Sequence, residues 1–196
     1  MSAGFKYNIE PEPSIEERYD VSTGVRRRGP YKLDTTNLVA GSFLPSFTPI
    51  ATDLVKKTVQ VAIRVEVCEK YTTGSNTTLK IKKNSLAYAG MNLGDGTHGA
   101  TVNAIDKSEK AFDKLTLAAD FGATLNAGTV LFEASASAGT TPKVIANSAL
   151  YERTKVEDGI VLVALLMRAF EIEPTKLAMP FHAKDKANMP YFQFNE

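Results

Sequence analysis

The chain has 196 residues, 23 Lys and Arg against 22 Asp and Glu, a formal net charge of +1, one cysteine and two histidines. That length holds one β-rich domain, or one domain plus an extended arm. The near-zero charge excludes a global field that would gather nucleic acid or an acidic membrane, and the lone Cys68 excludes an intrachain disulfide framework and a multi-cysteine zinc cage.

The first residues, Met-Ser-Ala-Gly-Phe-Lys-Tyr, lack the basic-then-apolar order of a secretory signal. The longest apolar run, Ile160 to Met167, is too short to span a bilayer, so a product folded in a reducing cytoplasm is expected. Residues 1 to 36 read as an extended arm, and residues 37 to 196 as the folded domain. Glu10-Pro11-Glu12-Pro13 breaks both helix and sheet, and no sustained period follows it; Ser14-Ile-Glu-Glu could cap a single helical turn. Phe5, Tyr7, Ile9, Tyr19 and Tyr31 are too many large apolar groups for a solvated tail. They call for a surface to lie on, this domain's own or a neighbour's. Arg26, Arg27 and Arg28 stand between Gly24 and Gly29-Pro30, either as a solvated loop or as a salt-sensitive contact to an acidic protein partner. No recognition helix or basic and aromatic β-face follows to place bases, so nucleic acid is not expected as a partner.

One pattern occurs twice. Leu38 to Leu44 and Leu125 to Leu131 both read Leu-x-Ala-Gly-(Ser/Thr)-x-Leu, a tight corner feeding a buried strand, which points to similar turns in one β unit or to a weak duplication. Pro45 and Pro49 confine Phe43 to Ile50 to an edge or an extended connection. Val55 to Cys68 is the clearest strand: Val55, Val59, Val61, Ile63, Val65 and Val67 share a core-facing parity, while Gln60, Arg64 and Glu66 share a wet one, with Cys68 as a surface or strand-end thiol. Tyr71 to Asn76 reads as a hairpin loop before an alternating strand, Thr78 to Lys82, whose lysine-rich outer face discourages edge pairing.

Gly94-Asp95-Gly96-Thr97-His98-Gly99 matches the dinucleotide pattern G-x-G-x-x-G, but Ala100 to Ile105 opens as a strand and not a helix, so the segment reads as a glycine-rich turn. Asp95 and His98 alone fall short of a metal site. Ser108 to Ala119 fits a helix capped at Ser108 or a turn followed by a strand, and the strand is favoured. Thr129 to Glu133 is a strand, Ala134 to Pro142 a small-residue loop expected to be mobile, and Val144 to Glu157 a turn or irregular strand. Ile160 to Met167, apolar on both parities, suits a strand covered on both faces, with a buried helix through Glu171 as the rival. Pro174 and Pro180 interrupt the chain, His182 reads as a surface histidine, and Tyr191 to Phe194 supplies a last strand.

The motif search finds no Gly-x-Ser-x-Gly elbow, Walker loop, His-Glu-x-x-His or Asp-x-Asp-x-Asp-Gly calcium loop. The expectation is a mainly β protein, a small antiparallel β-barrel or sandwich with an extended N-terminal arm and at most short helices, and with no catalytic residue, cofactor or metal. From Leu38 onward the chain resembles the capsid-associated head fibre and decoration proteins of tailed bacteriophages, particularly those of Bacteroides-type hosts. The resemblance lies in Ala40 to Ile50, in Asn103 to Ser108 with Phe112 to Leu117, and in Asn126 to Ala134.

It implies a non-enzymatic structural virion protein, made in the host cytoplasm and placed on the outer surface of a capsid, commonly as a homotrimer. The major capsid lattice would be its partner, with host-surface material as a further possibility and no membrane. Phe5, Tyr7, Tyr19, Arg26, Arg27, Arg28 and Tyr31 would be the partner-binding residues. The sequence has no heptad or collagen-like repeat for a long shaft, which favours a short knob or a fibre base. Two other classes stay open: a cell-surface or glycan-binding β module, and a small hydrolase using Asp95 and His98.

Overall fold

The computed structural model describes residues 18–195. The described residues form fourteen strands, one short α-helix and a 3-10 turn at Pro174–Lys176, and no helix among them is long and apolar enough to cross a membrane. Five strands close a barrel: β1 (Asp20–Leu33), β4 (Thr58–Val61), β3 (Pro49–Asp53), β11 (Ser148–Leu150) and β13 (Leu162–Ile172), with β13 returning to β1. All neighbours are antiparallel except β1 and β4, which run parallel. Strand β13 is long enough to serve two partners on one edge. Leu165 and Leu166 pair with β11, and further along Ala169 and Ile172 pair with the parallel strand β14 (Phe192–Phe194).

The second sheet has the order β5 (Arg64–Glu66), β10 (Val130–Glu133), β7 (Asn92–Gly94), β8 (Gly99–Asp106), β9 (Phe112–Leu117), β6 (Thr78–Lys82). It is antiparallel throughout, and it curls until Val67, just beyond β5, meets Ile81 of β6 in an isolated bridge. A two-residue ribbon of β2 (Phe43–Leu44) and β12 (Thr154–Lys155) completes the strands.

The valine-rich stretch explains how the two sheets join. It is not one strand. Residues 54–57 form a turn that leaves Val55 exposed, β4 lies in the barrel, and after a break at Ala62 and Ile63 the chain enters the second sheet as β5. Parity survives the break. Val59, Val61, Ile63, Val65 and Val67 all face one core that runs through both sheets and includes Leu33, Leu79, Leu115, Leu131 and Leu165. On the opposite parity Gln60 is exposed and Glu66 half-buried, as the pattern suggests, but Ala62 and Arg64 are buried beneath the C-terminal segment.

That segment forms a second apolar cluster on the outside of β11 and β13. Phe47 is its hub, with Tyr19 at 5.3 Å, Phe181 at 6.1 Å and Phe192 at 6.4 Å between ring centroids. Phe47 holds φ +64, rare for a bulky side chain. Its amide bond to the Leu150 carbonyl (2.7 Å) and the surrounding rings fix it there. Pro49 opens β3, an interior strand and not an edge; as first residue it costs no ladder bond, and its carbonyl accepts from Ala62.

The repeated corner folds the same way twice. Gly41 and Gly128 both have φ +83, and Ser42 and Thr129 each donate their amide to the residue three back, at 3.1 Å. These are matching turns that need a glycine for φ, and Leu44 and Leu131 beyond them are fully buried. Residues 112–117 are strand β9, and residues 107–111 contain no helix.

The loop expected to be mobile, Ala134 to Pro142, is pinned. It closes on itself through the Ala134–Pro142 bridge, and the Gly139 carbonyl accepts from Gly96. The fingerprint-like glycines form the turn between β7 and β8 and make room for it. A Cβ on Gly94 or Gly99 would overlap the Gly139 backbone.

Candidate docking surface

Residues 20–33, read from sequence as part of an arm, are β1 of the barrel. The surface on which their apolar groups lie is the chain's own: Tyr19 and Tyr31 are buried, at 6% and 4% exposure, and so present no ring to a partner. Phe5 and Tyr7 lie outside the described residues.

Register explains why no period was visible here. Pairing advances twelve residues along β1, from Asp20 to Lys32, but eight along β13, from Phe170 to Leu162. The surplus on β1 is taken up before Val25 and between Arg27 and Tyr31, while between Val25 and Arg26 the extra residue lies on β13. The two glycines flanking the basic run sit over the two tyrosines. A Cβ on Gly24 would come 3.0 Å from the Tyr19 ring, and one on Gly29 2.8 Å from the Tyr31 ring. Buried tyrosine rings thus prop up the ribbon whose middle is the arginine run.

Arg26 and Arg27 are exposed on that ribbon. Arg26 lies 4.5 Å over the Tyr151 ring and 3.8 Å from Glu152. Two residues past Tyr151, Arg153 lies 4.2 Å over Phe43. On β13, Arg168 stands opposite Val25, donates Nε to the Thr23 carbonyl at 3.0 Å, and lies 5.8 Å from the ring centroid of the half-exposed Phe170. Each of these three guanidinium groups therefore lies over an aromatic ring, an arrangement worth about 0.5–1 kcal/mol per pair at exposed sites. These contacts pre-order the side chains. Sequence reasoning found Arg26 and Arg27 but missed Arg153 and Arg168. The usable signal was spacing: Arg168 and Phe170 are two apart on one strand face, and Tyr151 and Arg153 are two apart as well.

The residues weighed for chemistry do not converge. His98 Nδ1 is 3.5 Å from Asp95 Oδ2, but Asp95 Oδ1 already accepts the Thr97 and His98 amides, both at 2.7 Å, as a turn requires. Burial, with help from Glu66, pushes the Cys68 thiol up, away from the thiolate. His182 is not a surface histidine. It packs edge-on to Phe132 at 4.9 Å and caps α1 (Ala183–Ala187), its Nδ1 accepting from the Lys184 amide at 3.1 Å. Among the described residues no three His, Cys, Asp or Glu side chains gather as a metal site would need.

A comparison with protein families matches residues 1–194 to the family described as head fiber protein, a match that takes in the N-terminal segment as well as the barrel. No curated protein and no solved structure matches the chain. With nearly the whole length covered, this chain belongs to the phage head fibre protein family, and it is a virion-associated structural protein.

Proposed function

We propose that the protein docks on the outer surface of the phage head, against the major capsid lattice, as a homotrimer, with the β1–β13 ribbon as its electrostatic contact and the N-terminal segment bearing Phe5 and Tyr7 as a docking arm. The observation that supports this best is the bulged ribbon itself. Arg26 and Arg27 are exposed on a strand of the closed barrel, between glycines packed over buried tyrosines, with Arg168 and the exposed apolar groups Val25 and Phe170 nearby. Arg28 belongs to the same run. Such a patch suits an acidic protein surface repeated many times over, where modest contacts gain from avidity.

The test is co-sedimentation of purified protein with heads that lack it, across a salt series. The native chain should bind less as salt rises, and the Arg26→Glu/Arg27→Glu variant should lose binding at least tenfold while keeping its melting temperature. Equal binding by that variant would overturn the ribbon as the contact.

A further inference from the structure

Between the second sheet and the C-terminal segment lies a cleft of about 220 Å³, with Val130, Leu177, Phe181 and Phe194 as its apolar lining and Glu66, Lys82 and Lys186 as its charges. Strand β14 forms one wall, and it is paired on one side only. Ala169 donates to the Tyr191 carbonyl and Asn195 to the Ile172 carbonyl, so the odd-numbered residues of this strand face β13. The Phe194 amide and the Phe192 and Phe194 carbonyls therefore point to the open edge, without a backbone partner among the described residues. A free edge beside an apolar cleft is the geometry that accepts an added strand: main-chain bonds supply affinity, and the cleft takes alternate side chains.

The chain carries a segment of matching chemistry. Phe5, Tyr7 and Ile9 recur at period two, and Glu10 and Glu12 follow directly, opposite in sign to Lys186, while the other cleft lysine, Lys82, already faces Glu66 at 3.5 Å. The described chain begins at Arg18, whose carbonyl accepts from Glu173, one residue before Pro174 on the cleft rim. By its sequence Glu10-Pro11-Glu12-Pro13 is a spacer of the semi-rigid kind, about 3 Å per residue, a composition suited to reaching a neighbouring copy rather than turning back onto the same rim.

We infer that the cleft and the free edge of β14 receive residues 5–9 of a second copy of this chain. The inference rests on the reading of the N-terminal segment as a docking arm and names that arm's receptor. Arm into neighbouring cleft is a head-to-tail contact, which closes a ring of the kind a trimer needs.

Disulfide trapping in the full-length chain tests it. With Cys68→Ser removing the native thiol, Tyr7→Cys is combined with Thr175→Cys on the exposed cleft rim, or with Thr73→Cys on an exposed loop elsewhere. Mild oxidation of purified protein should give covalent multimers with Thr175→Cys at least fivefold above those with Thr73→Cys. Lys186→Glu should reduce the yield severalfold, and adding Glu10→Lys should restore it. No bond, a bond within one chain only, or equal yields at the two positions would overturn the inference. The assay contains no heads, so the head-contact reading can fail while this one stands, and the reverse.

Discussion

Arg64 and Asp185 form a two-pronged ion pair, with Nε to Oδ2 and Nη2 to Oδ1 both at 2.6 Å, and with the two side chains 1% and 0% exposed. Both groups make two further hydrogen bonds each. Arg64 also donates to the Ile63 and Val144 carbonyls, and Asp185 accepts from the amides of Ala146 and His182. The pair thus ties β5, the segment before β11 and α1 together, and it seals the C-terminal cover over the sheet.

Removing one partner leaves the other charged and buried, which typically costs about 3–5 kcal/mol. Arg64→Met and Asp185→Ala should each show that loss in urea unfolding. The double variant Arg64→Leu/Asp185→Leu should lose less than the two single losses combined, since no lone charge is left behind. Full additivity would mean that the two groups act independently.

The glycines divide into two kinds, and substitution should separate them. At Gly41 and Gly128 a Cβ meets nothing within 4 Å, so alanine there is penalised only through φ, by roughly 1–2 kcal/mol and nearly equally at the two corners. At Gly94 and Gly99 the Gly139 backbone occupies the space a Cβ needs. Alanine at Gly94 must push the 134–142 loop off the hairpin, and alanine at Gly99, which also meets the Leu93 carbonyl, must open the hairpin as well, each at a cost of about 1–3 kcal/mol, with a change in amide-exchange protection confined to that loop and hairpin. Unchanged protection would show that the loop is not seated there.

How far the fold could be read in advance depended on whether a residue's cover lies nearby in sequence. The parity of Val59 to Val67, the two Ala-Gly corners and the strand character of residues 112–117 and 162–167 follow from local pattern, and the structure keeps them. Arg64 looked wet because its partner, Asp185, comes 121 residues later, on a five-residue helix too short to show a period. The sequence of β1 shows no alternation because register shifts interrupt its pairing on either side of Arg26 and Arg27. For the candidate surface the charges were visible, but the rings that order them, Tyr151 and Phe43, are brought in by pairing between distant strands.

Truncation distinguishes the N-terminal segment from β1. A chain lacking residues 1–17 keeps β1 between β13 and β4, and so keeps the barrel closed. Its far-UV circular dichroism should stay that of a β protein. Removing residues 1–36 takes β1 with it, along with the buried Tyr31 and Leu33, and exposes the facing edges of β13 and β4. That form should aggregate or lose its cooperative melt. A well-folded chain without residues 1–36 would show that the barrel does not need its first strand.

The pH dependence of stability should carry a signature of His182. Burial, followed by the nearby Arg64 charge, holds its imidazole below the ordinary histidine value, so the folded state favours the neutral ring whose Nδ1 accepts the Lys184 amide. The unfolded chain binds a proton near pH 6.5, while the folded chain resists it. Stability is therefore full above that pH and falls as the pH drops toward the folded-state value. His182→Asn retains a capping acceptor without a titrating group, so its urea midpoint, once carboxylate effects common to both proteins are subtracted, should stay flatter than that of the native chain between about pH 6.5 and pH 5. Parallel curves for the two proteins across that interval would mean that protonation of His182 is not linked to folding.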